Sequence, residues 1–336
     1  MNVIEIREHF GLDALTLSER PRPEPERGQV LIRVRAVSLN FRDLMTVKGQ
    51  YNPKQPLPLI PCSDGAGEVV EVGDDVDRVK PGDRVAGIFA QRWLGGTPTP
   101  AMRASTLGGP SDGMAAEYVV LDQEGVVHVP GHLDFDQAAT LPCAAVTAWN
   151  AVVEQGRVRA GDVVLIQGTG GVSMFALQFA RASGARVIAT SSSDEKLAKA
   201  RELGADHGIN YRETPDWDKR VLELTDGRGV DQVVEVGGAG TFMRSINAVR
   251  LGGTVTVIGV LSGTATELDV RPVLMKNVRM HGVLVGPREM FETMNRAIEQ
   301  HRLEPVIDKV FAFDEFRPAL EHMEAGKHFG KIVVRT

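Results

Sequence analysis

Gly168-Thr169-Gly170-Gly171 stands between a short β-branched run, Val163 to Gln167, and a stretch in which Val172, Phe175, Ala176, Phe179 and Ala180 recur at helical spacing. Gly168 and Gly170 match the first two glycines of G-x-G-x-x-G, with Ser173 at the third position. A turn of this kind can hold a diphosphate. Glycine lets the backbone approach closely, and the free N–H groups and positive dipole of the helix start meet the negative charge. The last glycine of the pattern serves helix–strand packing, so Ser173 can replace it. The plain alternative is a strand-to-helix turn with no ligand, but the strand before and the helix after make the pattern specific. The dinucleotide-binding positions are then Gly168, Thr169, Gly170, Gly171 and Val172.

The next strand, Arg186 to Thr190, decides which dinucleotide. An NAD site places a carboxylate near its end to hold the ribose 2′-hydroxyl. Here that position is Ser191, followed by Ser192 and Ser193. Serine does not repel a 2′-phosphate and can donate to it. Lys196 lies a few residues on, and Tyr211 and Arg212 follow the strand His207 to Asn210. One cation about 4 Å from a phosphate is worth roughly 4 kcal/mol before desolvation at an effective dielectric of 20. NADPH is therefore the expected cofactor and NADH the alternative, while Lys196 also reads as a solvated helix residue. Further along, Val236, Gly237 and Gly238 end a fourth strand, Gly259 and Val260 a fifth, and Leu284 and Val285 the last; carboxyl ends of strands in open α/β sheets line the ligand crevice.

The elements that must position these residues fall into two textures. Up to about residue 125 the chain is β-rich: Gln29 to Val37, Gly65 to Val72 and Arg84 to Phe89 are short strands punctuated by Gly73-Asp74-Asp75 and Pro81-Gly82-Asp83. Gln91 to Gly113, rich in Gly, Pro, Ser and Thr, reads as a long loop of the functional or mobile kind. Beyond about Leu141, strands alternate with helices. The first of these helices stops at Gly184, and the next is capped by Ser192 with Glu195 and stops at Gly204. That alternation predicts right-handed βαβ units and a parallel sheet covered on both faces. Helices at about Glu289 to Gln300 and Phe316 to Ala325 precede a closing strand, Ile332 to Arg335.

The 336 residues suggest two domains. A 43% hydrophobic, 24% charged chain with a formal charge of -6 has an ordinary globular make-up and no basic surplus for nucleic acid or anionic membrane. Two cysteines, Cys62 and Cys143, exclude a disulfide scaffold or a four-cysteine zinc lobe. No signal peptide or membrane span is visible, which points to a soluble, cytoplasmic protein.

Pro81-Gly82-Asp83-Arg84-Val85, Ala116-Glu117-Tyr118-Val119, the glycine-rich turn and the closing Phe329-Gly330-Lys331 resemble the medium-chain dehydrogenase/reductase superfamily over essentially the whole chain, and most of all its zinc-free quinone oxidoreductase branch. The resemblance implies an α/β chain. A GroES-like β-rich catalytic domain (1–144) is followed by a Rossmann doubly wound parallel sheet (145–285) and a return to the catalytic domain (286–336). It implies a homodimer paired through the edge strand Val278 to Val285, an active site in the cleft between domains, and Lys331 among the cofactor-binding residues.

In metal-dependent relatives a cysteine, a histidine and a later cysteine bind catalytic zinc. The matching positions here are Asn40, Ser63 (followed by Asp64) and Cys143, a set that falls short of the three Cys, His or carboxylate ligands zinc needs. His128 and His132 are separated by Pro130-Gly131 and form no helical pair. The expectation is a protein without metal. By the same resemblance Asn40 is the donor near the nicotinamide or substrate oxygen, and Thr147 packs on the nicotinamide. Arg42 stands where alcohol dehydrogenases carry a small hydroxyl residue. It leaves a proton relay in doubt and suits either an anionic substrate or a pairing with Asp43. Tyr51, Ser63, Trp93 and Cys143 are candidates for the substrate pocket, though Tyr51 and Trp93 also read as packing.

Without a metal to polarise a ketone, hydride addition suits an acceptor that is already electrophilic, where one or two hydrogen-bond donors suffice. The expected reaction is NADPH-dependent reduction of an activated C=C bond or a quinone. An alcohol or aldehyde dehydrogenase and a non-catalytic dinucleotide-binding protein are the alternatives. Cys62 and Cys143 read as buried thiols, or as sites sensitive to electrophilic substrates.

Overall fold

A computed structural model describes all of residues 1–336, which divide into two compact units. The first comprises Met1–Val146 and Gly286–Thr336. Its seven-stranded sheet is ordered Ile307–Ala312, Lys331–Arg335, Gln29–Leu39, Asp64–Val72, Arg84–Gly87, Val126–His128, with Tyr118–Asp122 also paired to Gln29–Leu39. Val30, Ile32, Val34, Leu39 and Val69 from these strands pack with Ile332 and Val334 in one core. Gln29–Leu39 is the organising strand. At its carboxyl end Ser38 pairs with Asp64 on one side, and Leu39 pairs with Ile332 on the other. That register brings three segments distant in sequence to the start of the helix Phe41–Val47.

The second unit is Thr147–Val285. Its six strands are parallel and ordered His207–Asn210, Arg186–Ser191, Val163–Gln167, Val230–Glu235, Val249–Val257, Arg279–Gly282. Chain order runs outward in both directions from the pair Val163–Gln167 and Val230–Glu235, the doubly wound arrangement with its switch point there. Buried Val163, Leu165, Ile188, Val233 and Val255 form the core of this sheet, as continuous apolar strands covered on both faces require.

Several boundaries differ from the sequence reading. The helix Asp194–Glu202 is capped by Ser193, whose hydroxyl accepts from the Lys196 N–H, one residue later than the Ser192–Glu195 box; Ser192 precedes the cap. The last strand is only Arg279–Gly282, and Val285 itself turns to φ 47, a left-handed value no strand accommodates. Leu284 and Val285 therefore lie past the strand, as do Gly259 and Val260 past Val257. Gln91 to Gly113 contains a short helix, Pro100–Arg103, capped by Thr99.

Candidate functional site

Two clusters of functional side chains stand at strand ends, one in each unit. In the first, the strand ending at Leu39 hands over to the helix Phe41–Val47 at Asn40. Asp43 reaches back to accept the Asn40 backbone N–H at 2.8 Å. The Lys331 ammonium, in the paired strand, donates to the Leu39 carbonyl and to Asn40 Oδ1, both at 2.6 Å. From the other neighbouring strand, Asp64 accepts the Ser63 hydroxyl at 2.7 Å and the Cys143 N–H at 3.1 Å. Asn40, Arg42, Asp43, Ser63, Asp64 and Lys331 are all buried. Two formal cations, Arg42 and Lys331, face two carboxylates, so the cluster is charge-balanced when all four are ionised.

Burial pushes the Asp64 carboxyl up to about 6. The Lys331 ammonium and the Asn40 amide oppose that rise, and nearby Asp43 adds to it. Burial likewise raises Asp43 above its ordinary value, against the pull of Arg42. Asn40 Nδ2 lies near enough to Asp64 to favour its charged form, yet it makes no hydrogen bond of normal geometry and is left as a buried donor without a partner. A buried donor left unmade costs about 1–3 kcal/mol, so Nδ2 keeps unused donor capacity beside the Asp64 carboxylate.

Arg42 is paired with Asp43 at 3.3 Å and donates to the carbonyls of Leu107 and Gly109, both at 3.0 Å. Its guanidinium also lies over the Tyr51 and Phe89 rings. The arginine therefore clamps the 91–113 loop onto the helix start, a structural role for much of its donor capacity. Tyr51 is exposed, while Trp93 is buried and donates to the Gly96 carbonyl. Cys62 is buried and Cys143, expected to be buried, is partly exposed; desolvation raises both thiols, so neither is an activated nucleophile at neutral pH.

These residues do not fit zinc. Of the four corresponding positions only Cys143 and Asp64 offer zinc-type ligands, and Asp64 already accepts two hydrogen bonds. The Asn40 oxygen is occupied by a cation of the chain itself. Nowhere in the structure do three His, Cys, Asp or Glu side chains gather as a metal site. His128 pairs with Asp83, and His132 is bonded to the Leu303 carbonyl.

In the second unit the strand Val163–Gln167 turns at Gly168 into the helix Gly171–Ala182. Gly168 adopts φ 67, and a Cβ there would meet only open space. The left-handed turn excludes a side chain for backbone reasons, and the space beside it remains free. No side chain caps the helix, and its first turn carries no acidic residue. A twelve-residue helix with an open, uncapped start after a glycine turn fits a diphosphate. Ser173, in place of the last glycine, donates its hydroxyl to the Gln167 carbonyl at 2.6 Å and locks helix to strand. Ser191 ends the neighbouring strand and is buried, with Ser192 partly exposed, Lys196 in the first turn of the following helix and Tyr211 exposed past the next strand. Thr147 is buried in the helical turn Val146–Trp149.

Sequence reasoning missed Glu235. Fully buried at the end of Val230–Glu235, it accepts from Gln167 Nε2 at 2.7 Å, Thr241 Oγ1 at 2.6 Å and the N–H groups of Gly237 and Gly238 at 2.9 Å, with Ser245 as a fifth donor. The network fixes the turn carrying Val236 and Gly237. Gly259 packs against that turn so closely that a Cβ would stand 2.2 Å from the Val236 carbonyl. The available signal was a polar residue closing each of two apolar strands, Gln167 and Glu235, with glycines immediately after.

Family profiles match both parts of the chain: an alcohol dehydrogenase GroES-like domain at residues 26–131, and a zinc-binding dehydrogenase domain at 171–300. A zinc-type alcohol dehydrogenase-like protein of Schizosaccharomyces pombe is 44% identical over 332 residues, covering 97% of this chain and 96% of its own. The chain belongs to the medium-chain dehydrogenase/reductase superfamily. It is an oxidoreductase of that superfamily, with the GroES-like and parallel-sheet parts the fold requires. A solved Sinorhizobium meliloti structure assigned to alcohol dehydrogenase superposes with a TM-score of 0.93 at 44% identity, covering 100% of this chain and 99% of that one. The 2-octenoyl-CoA carboxylase reductase CinF, solved with NADP and 2-octenoyl-CoA, superposes with a TM-score of 0.87 at 28% identity, covering 99% and 87%. The donor set at Asn40, Ser63, Asp64 and Cys143 contains two zinc-type ligands, Asp64 and Cys143, where a catalytic zinc takes three.

Proposed function

We propose that this medium-chain dehydrogenase/reductase is a zinc-independent, NADPH-dependent reductase of an activated C=C bond, as in an enone or enal, or of a quinone. The observation that carries the reading is the buried Asn40 Nδ2, a donor without a partner at the position where zinc relatives hold a metal ligand. A hydrogen-bond donor can stabilise charge arriving on the oxygen of a conjugated acceptor, whereas a simple ketone needs stronger polarisation. NADPH, when bound, supplies the hydride; the acceptor gains two electrons and takes its proton from water.

Gly168, Gly170 and Gly171 hold the diphosphate, and Ser191, Ser192, Lys196 and Tyr211 take the ribose 2′-phosphate. Thr147 packs on the nicotinamide, with the turns at Val236-Gly237 and Gly259-Val260 beside it. The NADP in the CinF structure supports a nicotinamide dinucleotide as the cofactor. Tyr51, Ser63, Trp93 and Cys143 belong to the acceptor site. Two reduced thiols suit a cytoplasmic setting, and no helix is long and apolar enough to cross a membrane. A homodimer forms through the second unit's sheet edge. Leu251, Val270, Leu274 and Met275 are exposed beside the edge strand Arg279–Gly282, a patch a monomer would rarely leave in water.

The test follows NADPH oxidation with a small enone, a quinone and the matching saturated ketone, with and without chelator. Chelator-resistant turnover of enone or quinone but not ketone supports the reductase. The second reading, an alcohol dehydrogenase, is favoured by the names of the two 44%-identical proteins and predicts ketone turnover instead.

A further inference from the structure

Lys331 and Asn40 are 291 residues apart in sequence and hydrogen-bonded to each other where the strand Gln29–Leu39 ends. The Leu39 carbonyl and Asn40 Oδ1 each accept from the one ammonium, and Lys331 is buried. An ammonium can only donate, so it fixes which end of the Asn40 amide faces it. The oxygen turns toward Lys331, and Nδ2, the buried atom without a hydrogen-bond partner, turns away. A cation bonded to an amide oxygen also draws charge from the nitrogen, which strengthens its N–H groups as donors.

We propose that Lys331 is the positioning residue of the reduction: it orients and polarises the Asn40 amide so that Nδ2 meets the oxygen of the acceptor. The inference rests on the reading of Asn40 as the donor to that oxygen. It assigns Lys331 away from the cofactor and to the acceptor side of the reaction. The chain's own buried cation, one bond removed, does part of what a metal does by direct contact in the zinc enzymes.

The test uses the 336-residue protein, four single variants and one double variant. Lys331→Met removes the ammonium and Lys331→Arg keeps a cation. Asn40→Asp keeps an acceptor for Lys331 but has no donor, and Asn40→Ala completes a double-mutant cycle. Lys331→Met and Asn40→Asp are each expected to lower kcat for a small enone by about tenfold or more. The Asn40→Ala/Lys331→Met double variant should be no worse than the weaker single, within about twofold, because both changes remove one interaction. The NADPH Kd, read by fluorescence titration, should stay within about twofold throughout.

A second readout is independent of turnover. The Asn40 side-chain NH2 resonances, assigned in labelled protein by their loss in Asn40→Asp, should move upfield in Lys331→Met and hold their place in Lys331→Arg. Multiplicative losses in kcat, unmoved resonances, or a raised NADPH Kd with kcat intact would overturn the positioning role alone. If Lys331→Met does not fold, Lys331→Arg decides: kcat lost while the resonances hold overturns the proposal, and both retained supports it. Absence of wild-type turnover with every enone and quinone overturns the reductase reading, and with it the acceptor role given to the pair.

Discussion

Gln167 Nε2 donates to the Glu235 carboxylate at 2.7 Å, joining the ends of the two strands from which the parallel sheet winds outward. Glu235 takes four further donors, two of them the backbone N–H groups of Gly237 and Gly238. The carboxylate thus replaces sheet pairing for a turn that has left the strand, and it links the glycine turn at Gly168 to the turn at Gly237. An acceptor-only group suits this place, because every neighbour is a donor.

Glu235→Gln turns one acceptor oxygen into an NH2 group facing other donors. Leaving one or two buried donors unpaired costs about 2–4 kcal/mol. Urea unfolding should show that loss, and the NADPH Kd should rise, since the turns meant to hold the cofactor would lose their fixed geometry. Unchanged unfolding would show that water or a relaxed backbone satisfies these donors.

Ser191→Asp places a carboxylate at the end of Arg186–Ser191. With the charge about 4 Å from a 2′-phosphate, repulsion of up to about 4 kcal/mol is available at an effective dielectric of 20. The ratio of kcat/KM for NADPH over NADH should fall by about tenfold or more. An unaltered ratio would move the 2′-phosphate contact away from Ser191.

The legible parts of this chain were local. Val163 to Gln167, the glycines after it and the helical spacing of Phe175, Ala176 and Phe179 lie within twenty residues, so backbone sterics and periodicity dictate strand, turn and helix directly. Ser173 was readable as a packing substitute, and its hydroxyl does tie helix to strand. The Lys331–Asn40 bond was not readable. It depends on the register that sets Ile332 against Leu39, which only the assembled sheet specifies. Arg42 left alternatives open for the same reason: its partners Leu107 and Gly109 lie in a loop whose path follows from tertiary contacts rather than from its own composition. The strand ending at Gly282 was overextended because Val283 and Val285 continue an apolar run into buried positions that belong to no strand.

Asp64 gives the stability of the protein a pH dependence of known sign. Its carboxyl, ordinarily at 3.8, is pushed up to about 6 by burial. As pH rises the unfolded chain loses this proton first, so the group favours the native state below about pH 4 and that contribution disappears through about pH 6. Two units correspond to about 3 kcal/mol. Asp64→Asn has no such proton, and Asp43, shifted in the same direction, is common to both proteins. The unfolding free energy of wild type minus variant should fall by about 2 kcal/mol between pH 4 and 6.5 and be level above pH 7. A level difference across the whole range would mean that Asp64 titrates as an ordinary carboxyl.

Leu274 and Met275 are 78% and 75% exposed in a short helix, Val270–Met275, that buries none of its residues. Leu251 and Val270 lie in the same part of the second unit, beside an edge strand whose outer backbone groups have no neighbouring strand. Val270, Leu274 and Met275 add little to the folding of the single chain from these exposed positions, and the proposed dimer gives them a surface to cover. Leu274→Asp puts a charge into the patch without touching the core. Burying it unpaired in an interface would cost several kcal/mol, enough to shift micromolar protein from dimer to monomer. Sedimentation velocity should show one species of twice the 36.4 kDa chain mass for wild type and one of the chain mass for the variant, with thermal unfolding of the isolated chain little changed. A wild-type monomer would leave this patch free for some other partner. A dimer unaffected by Leu274→Asp would place the two-fold axis elsewhere.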